Sequence, residues 1–296
     1  MNKENLSSKM SFAGAMVVFG TIGLFVRNIA MPSSVIAFIR GAVGTAFLVI
    51  FCLATGKKFS FGKAREKLLL LCLSGAAIGV NWIFLFEAYR YTTVATATLC
   101  YYMAPIFVIV MSSLIYKEKL TAKKICCTLA ALVGMVFVSG VAETRVVNIS
   151  EMKGIVLGVL AAVFYSSVVL MNKSLGSVPA YDKTIVQLFT AAAVILPYCI
   201  STVDIPEISF DKKSVIMLMI VSIVHTGISY TAYFGSMKNL QSQTIAIMSY
   251  IDPIVAVVLS AVILNEKMSA LSIVGAVMIL SATFLSEINI GKGKSK

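Results

Sequence analysis

The chain has 296 residues, of which 59% are hydrophobic and only 13% charged, and its mean hydropathy is +0.94. Soluble domains average about 45–50% apolar and about 25% charged residues, so this composition argues against a globular, water-soluble enzyme. A net charge of +12 would suit a nucleic-acid binder only if the basic residues formed one wet face; here they sit in brief breaks between apolar runs, where membrane topology is encoded.

In chain order, Met1 to Lys9 are polar, and the apolar run behind them is longer than a signal-peptide core and lacks a small-residue cleavage pattern. It reads as a retained first helix. Apolar runs between clusters of charge and turn residues predict ten spans, at about 10–30, 33–54, 67–90, 93–116, 122–141, 153–175, 182–202, 213–236, 241–264 and 270–288. The fold class is therefore an all-α integral membrane protein. Short links, such as Met31-Pro32 and Lys117 to Thr121, force neighbouring helices to run antiparallel. Of the 25 Lys and Arg, 17 fall on the side that holds the N-terminus and 7 on the other, with Arg40 inside the second span. Both termini should face the cytoplasm of the cell (inner) membrane.

Several chemistries find no residues to support them. All six cysteines (Cys52, Cys72, Cys100, Cys126, Cys127, Cys199) lie inside apolar runs, where they act as small hydrophobes rather than as a disulfide framework. One histidine, His225, cannot assemble a His-based metal site, and no phosphate-binding G-x-x-x-x-G-K-[ST] loop occurs. No metal, cofactor or nucleic acid is implied.

A shift of 148 residues brings Tyr89 to Leu120 into register with Met237 to Met268. Arg90 then meets Lys238, Tyr102 meets Tyr250, Pro105 meets Pro253, Ser112 meets Ser260, and Glu118-Lys119 meets Glu266-Lys267. The chain divides into two five-helix halves, residues 1–141 and 152–296. Five is odd, so the second half enters the membrane from the opposite side and the repeat is inverted. Two equivalent, inverted halves can exchange shapes around a site near the midplane, closing one side while opening the other.

The repeated pattern has a helix ending in Ala88-Tyr89-Arg90-Tyr91-Thr92, then a helix with a central Pro105 and a Glu118-Lys119-Leu120 terminus. It returns as Met237-Lys238, Pro253 and Glu266-Lys267-Met268. It resembles the EamA family of the drug/metabolite transporter superfamily over essentially the whole chain. The resemblance implies a ten-helix secondary transporter for amino acids or other small metabolites. The chain departs from the family pattern where Lys117 and Asn265 stand in place of a glycine before the Glu, and where Glu87 occupies a usually apolar position. Small multidrug members carry an essential Glu in their first helix, whereas Met10 to Ala30 contains no acid, so their proton/drug exchange mechanism is not implied.

Ionisable groups inside a bilayer cost at least about 2.5–3.5 kcal/mol each, which makes the few present candidates for a substrate or coupling pathway. Asp252 and His225 lie near the centres of the ninth and eighth spans; Asp252 could instead be a neutral interhelical hydrogen-bonding group and His225 a satisfied core residue. Glu87 is three residues before Arg90 and fits an interfacial ion pair as well as a binding role. Arg40 could neutralise a buried acid or hold a substrate carboxylate. Pro105 and Pro253 each remove a backbone hydrogen bond, freeing the carbonyls of Tyr101 and Ser249, as hinges or as static kinks. Tyr101, Tyr102, Tyr230, Tyr233, Tyr250, Trp82 and Asn81 supply rings, hydroxyls and an amide at these depths, for substrate or for packing. Gly75-x-x-x-Gly79 and Gly154-x-x-x-Gly158 read as packing contacts.

The leading expectation is a secondary transporter exporting a small amino-acid-like or amine-bearing metabolite by alternating access, with proton coupling, a multidrug or cation exporter and a metabolite importer left open. Its partners are the lipid bilayer and a small-molecule substrate; a monomer would suffice, and the oligomeric state stays open. A polytopic membrane enzyme would need a catalytic constellation such as G-x-S-G or G-x-G-D, which is absent. A channel or scaffold has less need of an inverted repeat.

Overall fold

The computed structural model describes residues 3–57, 61–92, 94–118, 121–138, 149–203, 210–263 and 269–287. The described residues are helical throughout, with turns between. Helix α1 (Lys3–Val26) is followed by α2 (Ser33–Ala54), the short α3 (Phe61–Glu66), α4 (Leu68–Tyr91), α5 (Val94–Tyr101), α6 (Ala104–Tyr116) and α7 (Ala122–Val138). Next come α8 (Ile149–Ser174), α9 (Ala180–Thr202), α10 (Lys212–Ile220), a π-helical stretch Val221–Ile228, α11 (Ser229–Ser236), a single 3-10 turn Met237–Asn239, α12 (Ser242–Met248), α13 (Ile251–Ile263) and α14 (Ala270–Glu287). Of the repeated motif, Lys119, Leu120, Asn265, Glu266, Lys267 and Met268 lie outside the described residues.

Local chemistry sets several of these boundaries. Pro32 and Pro179, with φ of −56° and −54°, stand immediately before α2 and α9, where a fixed φ and a missing N–H cost nothing. Their carbonyls accept the first helical bonds, from Ile36 and Lys183, at 3.1 and 3.0 Å. Asp211 caps α10, accepting from the amides of Lys213 at 2.9 Å and Ser214 at 3.0 Å, and the Ser214 hydroxyl and amide hold its carboxyl below the usual carboxylate range. Thr121 caps α7 through the Lys124 amide.

Seven stretches among the described residues are long and apolar enough to cross a membrane: Glu4–Val26, Ser33–Ala54, Leu68–Tyr91, Ala97–Tyr116, Met152–Ser174, Ala180–Thr202 and Lys212–Asn239. Large apolar side chains cover their outer faces, among them Leu53, Leu69, Leu114 and Ile200, each at least 75% exposed. Such apolar surface suits lipid rather than water.

The spans expected as continuous helices around a central proline are each two helical segments. The break falls at Tyr102-Met103 in one and at Ser249-Tyr250 in the other, so Pro105 and Pro253 occupy the first turn of α6 and α13. The physical reason is the ring's clash with the carbonyl four residues back, which a fresh helix start avoids.

Helix α4 packs against α8 and α9, α2 against α9 and the π stretch, α1 against α11 and α13, and α7 against α14. The main core joins Phe12, Trp82, Val108, Leu188, Tyr233 and Ile245, while Ala131, Met135, Tyr250 and Ile279 form a second cluster beside it. Both glycine pairs sit at close approaches. A Cβ on Gly75 would meet the Gln187 carbonyl oxygen at 2.7 Å, and one on Gly158 the Cys100 Cβ at 2.9 Å.

Candidate functional site

The two helix breaks face each other in the middle of the molecule and leave a cavity of about 150 Å³. Met16, Phe19 and Ile22 of α1 form an apolar wall, and Tyr101, Tyr102, Tyr165, Tyr230 and Tyr233 surround the rest. The polar and charged groups on it are Arg40, Ser249 and Asp252, with Pro105 at its edge.

Each position follows from its helix. Asp252 is the second residue of α13 and enters the cavity from the break; Gly20 makes this possible, because a Cβ there would stand 2.6 Å from the Asp252 carbonyl oxygen. The Asp252 carboxyl faces the Tyr102 hydroxyl. Arg40, on α2, directs its Nε to the Thr226 hydroxyl at 3.0 Å and lays its guanidinium over the Trp82 ring, 5.1 Å from the centroid. Thr226 is placed for this by the π stretch, in which its hydroxyl also donates to the Val221 carbonyl at 3.0 Å. Widened turns of this kind recur at functional sites.

The breaks expose backbone carbonyls, and side chains satisfy them. The Tyr250 hydroxyl donates to the Tyr102 carbonyl at 3.2 Å, and the Ser166 hydroxyl to the Ala104 carbonyl at 3.0 Å. The carbonyl that the Tyr250 hydroxyl reaches is that of Tyr102, one residue beyond that of Tyr101, which the sequence singled out. Tyr165 and Tyr233 share a short hydroxyl–hydroxyl bond across the cavity wall, and Tyr101 packs on Tyr165 at 5.4 Å between centroids.

Of the residues singled out by sequence, the structure brings Arg40, Tyr101, Tyr102, Tyr230, Tyr233, Asp252 and Pro105 onto the cavity. Trp82 supports it from beneath Arg40 and meets Tyr230 edge-on at 6.3 Å. Tyr250 is buried behind it. Asn81 is not part of it: its Nδ2 donates to the Ala161 carbonyl at 2.6 Å and joins α4 to α8. Glu87 pairs with Arg90 at 2.9 Å and accepts from the Tyr198 hydroxyl, linking α4 to α9. His225 shares a hydrogen bond between Nε2 and the Thr21 hydroxyl at 2.8 Å and stands edge-on to Phe25, off the cavity. Pro253 lies in the first turn of α13, behind Asp252.

Sequence reasoning passed over Tyr165, Phe19 and Gly20. The polar run Tyr165-Ser166-Ser167 in the middle of an apolar helix was the available signal for the first of these. It also passed over one buried and one half-buried cation. Lys183, one of the 17 basic residues counted on the side of the N-terminus, is 1% exposed and donates to the Phe234 carbonyl at 2.9 Å. Lys173 pairs with Glu118 and bonds the Ser242 hydroxyl at 3.2 Å, tying α8 to the end of α6 and the start of α12.

The sequence profile of the EamA-like transporter family matches residues 8–140 and again 152–288, so the chain belongs to that family. It is 28% identical over 285 residues to the uncharacterized transporter YxxF of Bacillus subtilis, covering 96% of this chain and 91% of that one. It is 24% identical over 241 residues to a probable amino-acid metabolite efflux pump of Salmonella typhimurium, covering 76% and 79% of the two chains. A crystal structure superposes with a TM-score of 0.85 at 18% identity, over 95% of this chain and 96% of that one, a likeness of fold alone. The chain is a multi-pass membrane protein of a transporter family, handles a small-molecule substrate, and is not an enzyme.

Proposed function

We propose that this EamA-like chain is a secondary active transporter of the plasma membrane that exports a small amino-acid-like or amine-bearing metabolite by alternating access. Its architecture in this reading is ten crossings in two inverted five-helix halves, residues 1–141 and 152–296, with both termini cytoplasmic. The observation that carries it is the origin of the cavity walls: Arg40, Tyr101 and Tyr102 come from the first half, Tyr165, Tyr230, Tyr233 and Asp252 from the second. A site shared between halves changes its access when the halves move against each other.

Leaving out the six-residue α3 and counting α5 with α6, α10 through Met237–Asn239, and α12 with α13 as one crossing each gives ten. Exchanging the halves turns the α4–α8 contact into α11–α1, turns α4–α9 into the π stretch on α2, and returns α2–α9 and α7–α14 to themselves. That self-consistency, together with the paired prolines before α2 and α9, supports the repeat. Export and an amino-acid-like substrate draw support from the relative named as an efflux pump. A multidrug reading fits less well, since pockets for drug-sized ligands run to about 300–1,000 Å³.

Purified protein in sealed proteoliposomes, loaded with labelled amino acids or amines, tests the reading. Saturable efflux above that of protein-free vesicles is expected, and a response to an imposed pH gradient would identify proton coupling. Flux that rises linearly with concentration, without saturation, would instead support a channel. For the orientation, single cysteines at Phe210 and Thr55 in a background without native cysteines separate the two sides: an impermeant reagent applied to intact cells should label only the former.

A further inference from the structure

The cavity carries two opposite charges that do not touch. Arg40 and Asp252 both line it, yet no ion pair joins them, whereas Arg90 pairs with Glu87 and Lys173 with Glu118 elsewhere in the molecule. Arg40 commits Nε to Thr226 and its face to Trp82, which leaves both terminal amino groups without an acceptor among the described residues. Asp252 faces one hydroxyl, that of Tyr102, while a carboxylate has room for about four hydrogen bonds. Both side chains keep some accessible surface at mid-crossing, and that surface is the cavity's.

A charge at this depth costs at least about 2.5–3.5 kcal/mol when unpaired. Direct pairing of Arg40 with Asp252 would offset that cost most simply, but Trp82 and Thr226 hold the guanidinium where it is. The occupant that satisfies both poles is one that carries both complementary charges. A simple amine would leave Arg40 unpaired, and a simple carboxylate would leave Asp252 unpaired. A cavity near 150 Å³ accommodates a guest of about the size of benzene, which limits the occupant to a few heavy atoms beyond its two charged groups.

We propose that Arg40 and Asp252 are the two poles of a zwitterion site, in which Arg40 receives the carboxylate and Asp252 the ammonium of a small α-amino acid. The two N–H groups on one edge of a guanidinium match a carboxylate's two oxygens. The ammonium, at the opposite pole, gains from the surrounding tyrosine faces as well as from the acid. The side chain rests against Met16, Phe19 and Ile22. This assignment rests on the cavity being the substrate site.

The test compares ligands on the unaltered protein, so no variant has to fold. Thermal stabilisation and equilibrium binding in detergent are measured with L-alanine and L-valine, with their amine-only counterparts ethylamine and 2-methylpropylamine, and with their carboxylate-only counterparts propanoate and 3-methylbutanoate. At least one of the two amino acids should bind about tenfold or more tightly than either of its truncated forms, since a charge-assisted hydrogen bond contributes about 1.5–3 kcal/mol. Arg40→Gln should narrow the gap between the amino acid and its amine, and Asp252→Asn the gap between the amino acid and its carboxylate. Equal binding of an amine and its parent amino acid, or no binding of either amino acid, overturns the two-pole assignment. Transport is judged separately by the vesicle flux above, so a protein that moves some other solute would keep that reading and lose this one.

Discussion

The hydroxyl of Tyr250 donates to the backbone carbonyl of Tyr102 at 3.2 Å, and the two residues are 148 positions apart, the same offset that relates the two halves in sequence. A side chain from the second helix break thereby satisfies a carbonyl loosened at the first. The link is one-way, because the Tyr102 hydroxyl turns toward Asp252 instead. Two equivalent residues thus have unequal duties: Tyr250 holds the breaks together and Tyr102 faces the cavity.

Tyr250→Phe keeps the ring and deletes the donor. With the carbonyl left unpaired in an apolar setting, the variant should lose about 1–3 kcal/mol of stability. Thermal unfolding in detergent measures this. A variant as stable as the parent protein would mean that the carbonyl is satisfied in another way.

Much of this arrangement was legible in the sequence, for identifiable reasons. Apolar runs located the helices, because membrane crossing demands about 20 apolar residues whatever the fold. The offset of 148 brought Pro105 over Pro253 and Tyr102 over Tyr250, and the structure sets both helix breaks at these pairs. Rarity of charge picked out Arg40 and Asp252. Sequence could not tell Glu87 and Asn81, which tie helices together, from groups that face the cavity, because that depends on rotation about a helix axis. Period alone fixes no rotation when apolar residues surround the helix on every side. Nor did it reveal the π stretch, which shifts Thr226 and His225 relative to α-helical register and separates their partners, Arg40 and Thr21.

Pro105→Ala and Pro253→Ala each restore an amide at a break. That amide can bond the carbonyl four residues back and favour one continuous helix. The variants should insert normally but transport more slowly, because a crossing that bends at the break becomes stiffer. Vesicle flux at matched protein content measures the effect. Unchanged rates in both single variants and in the double variant would reduce the prolines to helix starts with no part in motion.

Asp252→Asn preserves the shape of the side chain but cannot ionise. If Asp252 couples transport to protons or receives a cationic group, the variant should fold, lose uphill transport and lose its pH dependence, with exchange of substrate across the membrane still measurable. Reconstituted Asp252→Asn protein with full uphill activity and an unaltered pH profile would remove the assignment.

Lys117 ends α6 in the left-handed region, with φ of 53° and ψ of 32°, and is exposed. A side chain there costs about 1–2 kcal/mol relative to glycine, whereas glycine raises the entropy of the unfolded chain by about 0.5–1 kcal/mol. Strain relief is the larger effect. Lys117→Gly should therefore stabilise the protein by about 0.5–1 kcal/mol. A rise in thermal midpoint without change in transport is the expected result, and a fall would show that the lysine makes a compensating contact.

Lys173 and Glu118 meet at the end of the bundle that is cytoplasmic in the proposed orientation. Glu118 accepts from Lys173 and from the Ser242 hydroxyl at 3.1 Å, Lys173 stands over the Tyr116 ring at 5.2 Å, and the Tyr116 hydroxyl bonds the Leu170 carbonyl at 2.6 Å. One half-buried ion pair therefore joins α6 of the first half to α8 and α12 of the second, and alternating access would have to break it each time the inner side opens. Lys173→Met removes one partner and leaves the carboxylate poorly matched, so the closed inner side should be destabilised more than an open one in which water reaches Glu118. A cysteine placed at Ser249, on the cavity wall, then reports the outcome through its reaction with an impermeant thiol reagent applied to inside-out vesicles. In a background without native cysteines, Lys173→Met should speed that reaction, and the added change Glu118→Gln should bring it back toward the starting rate, because two neutral side chains no longer oppose closure. The same reaction rate in all three proteins would mean that the pair is a static tie and that the inner side closes by other contacts.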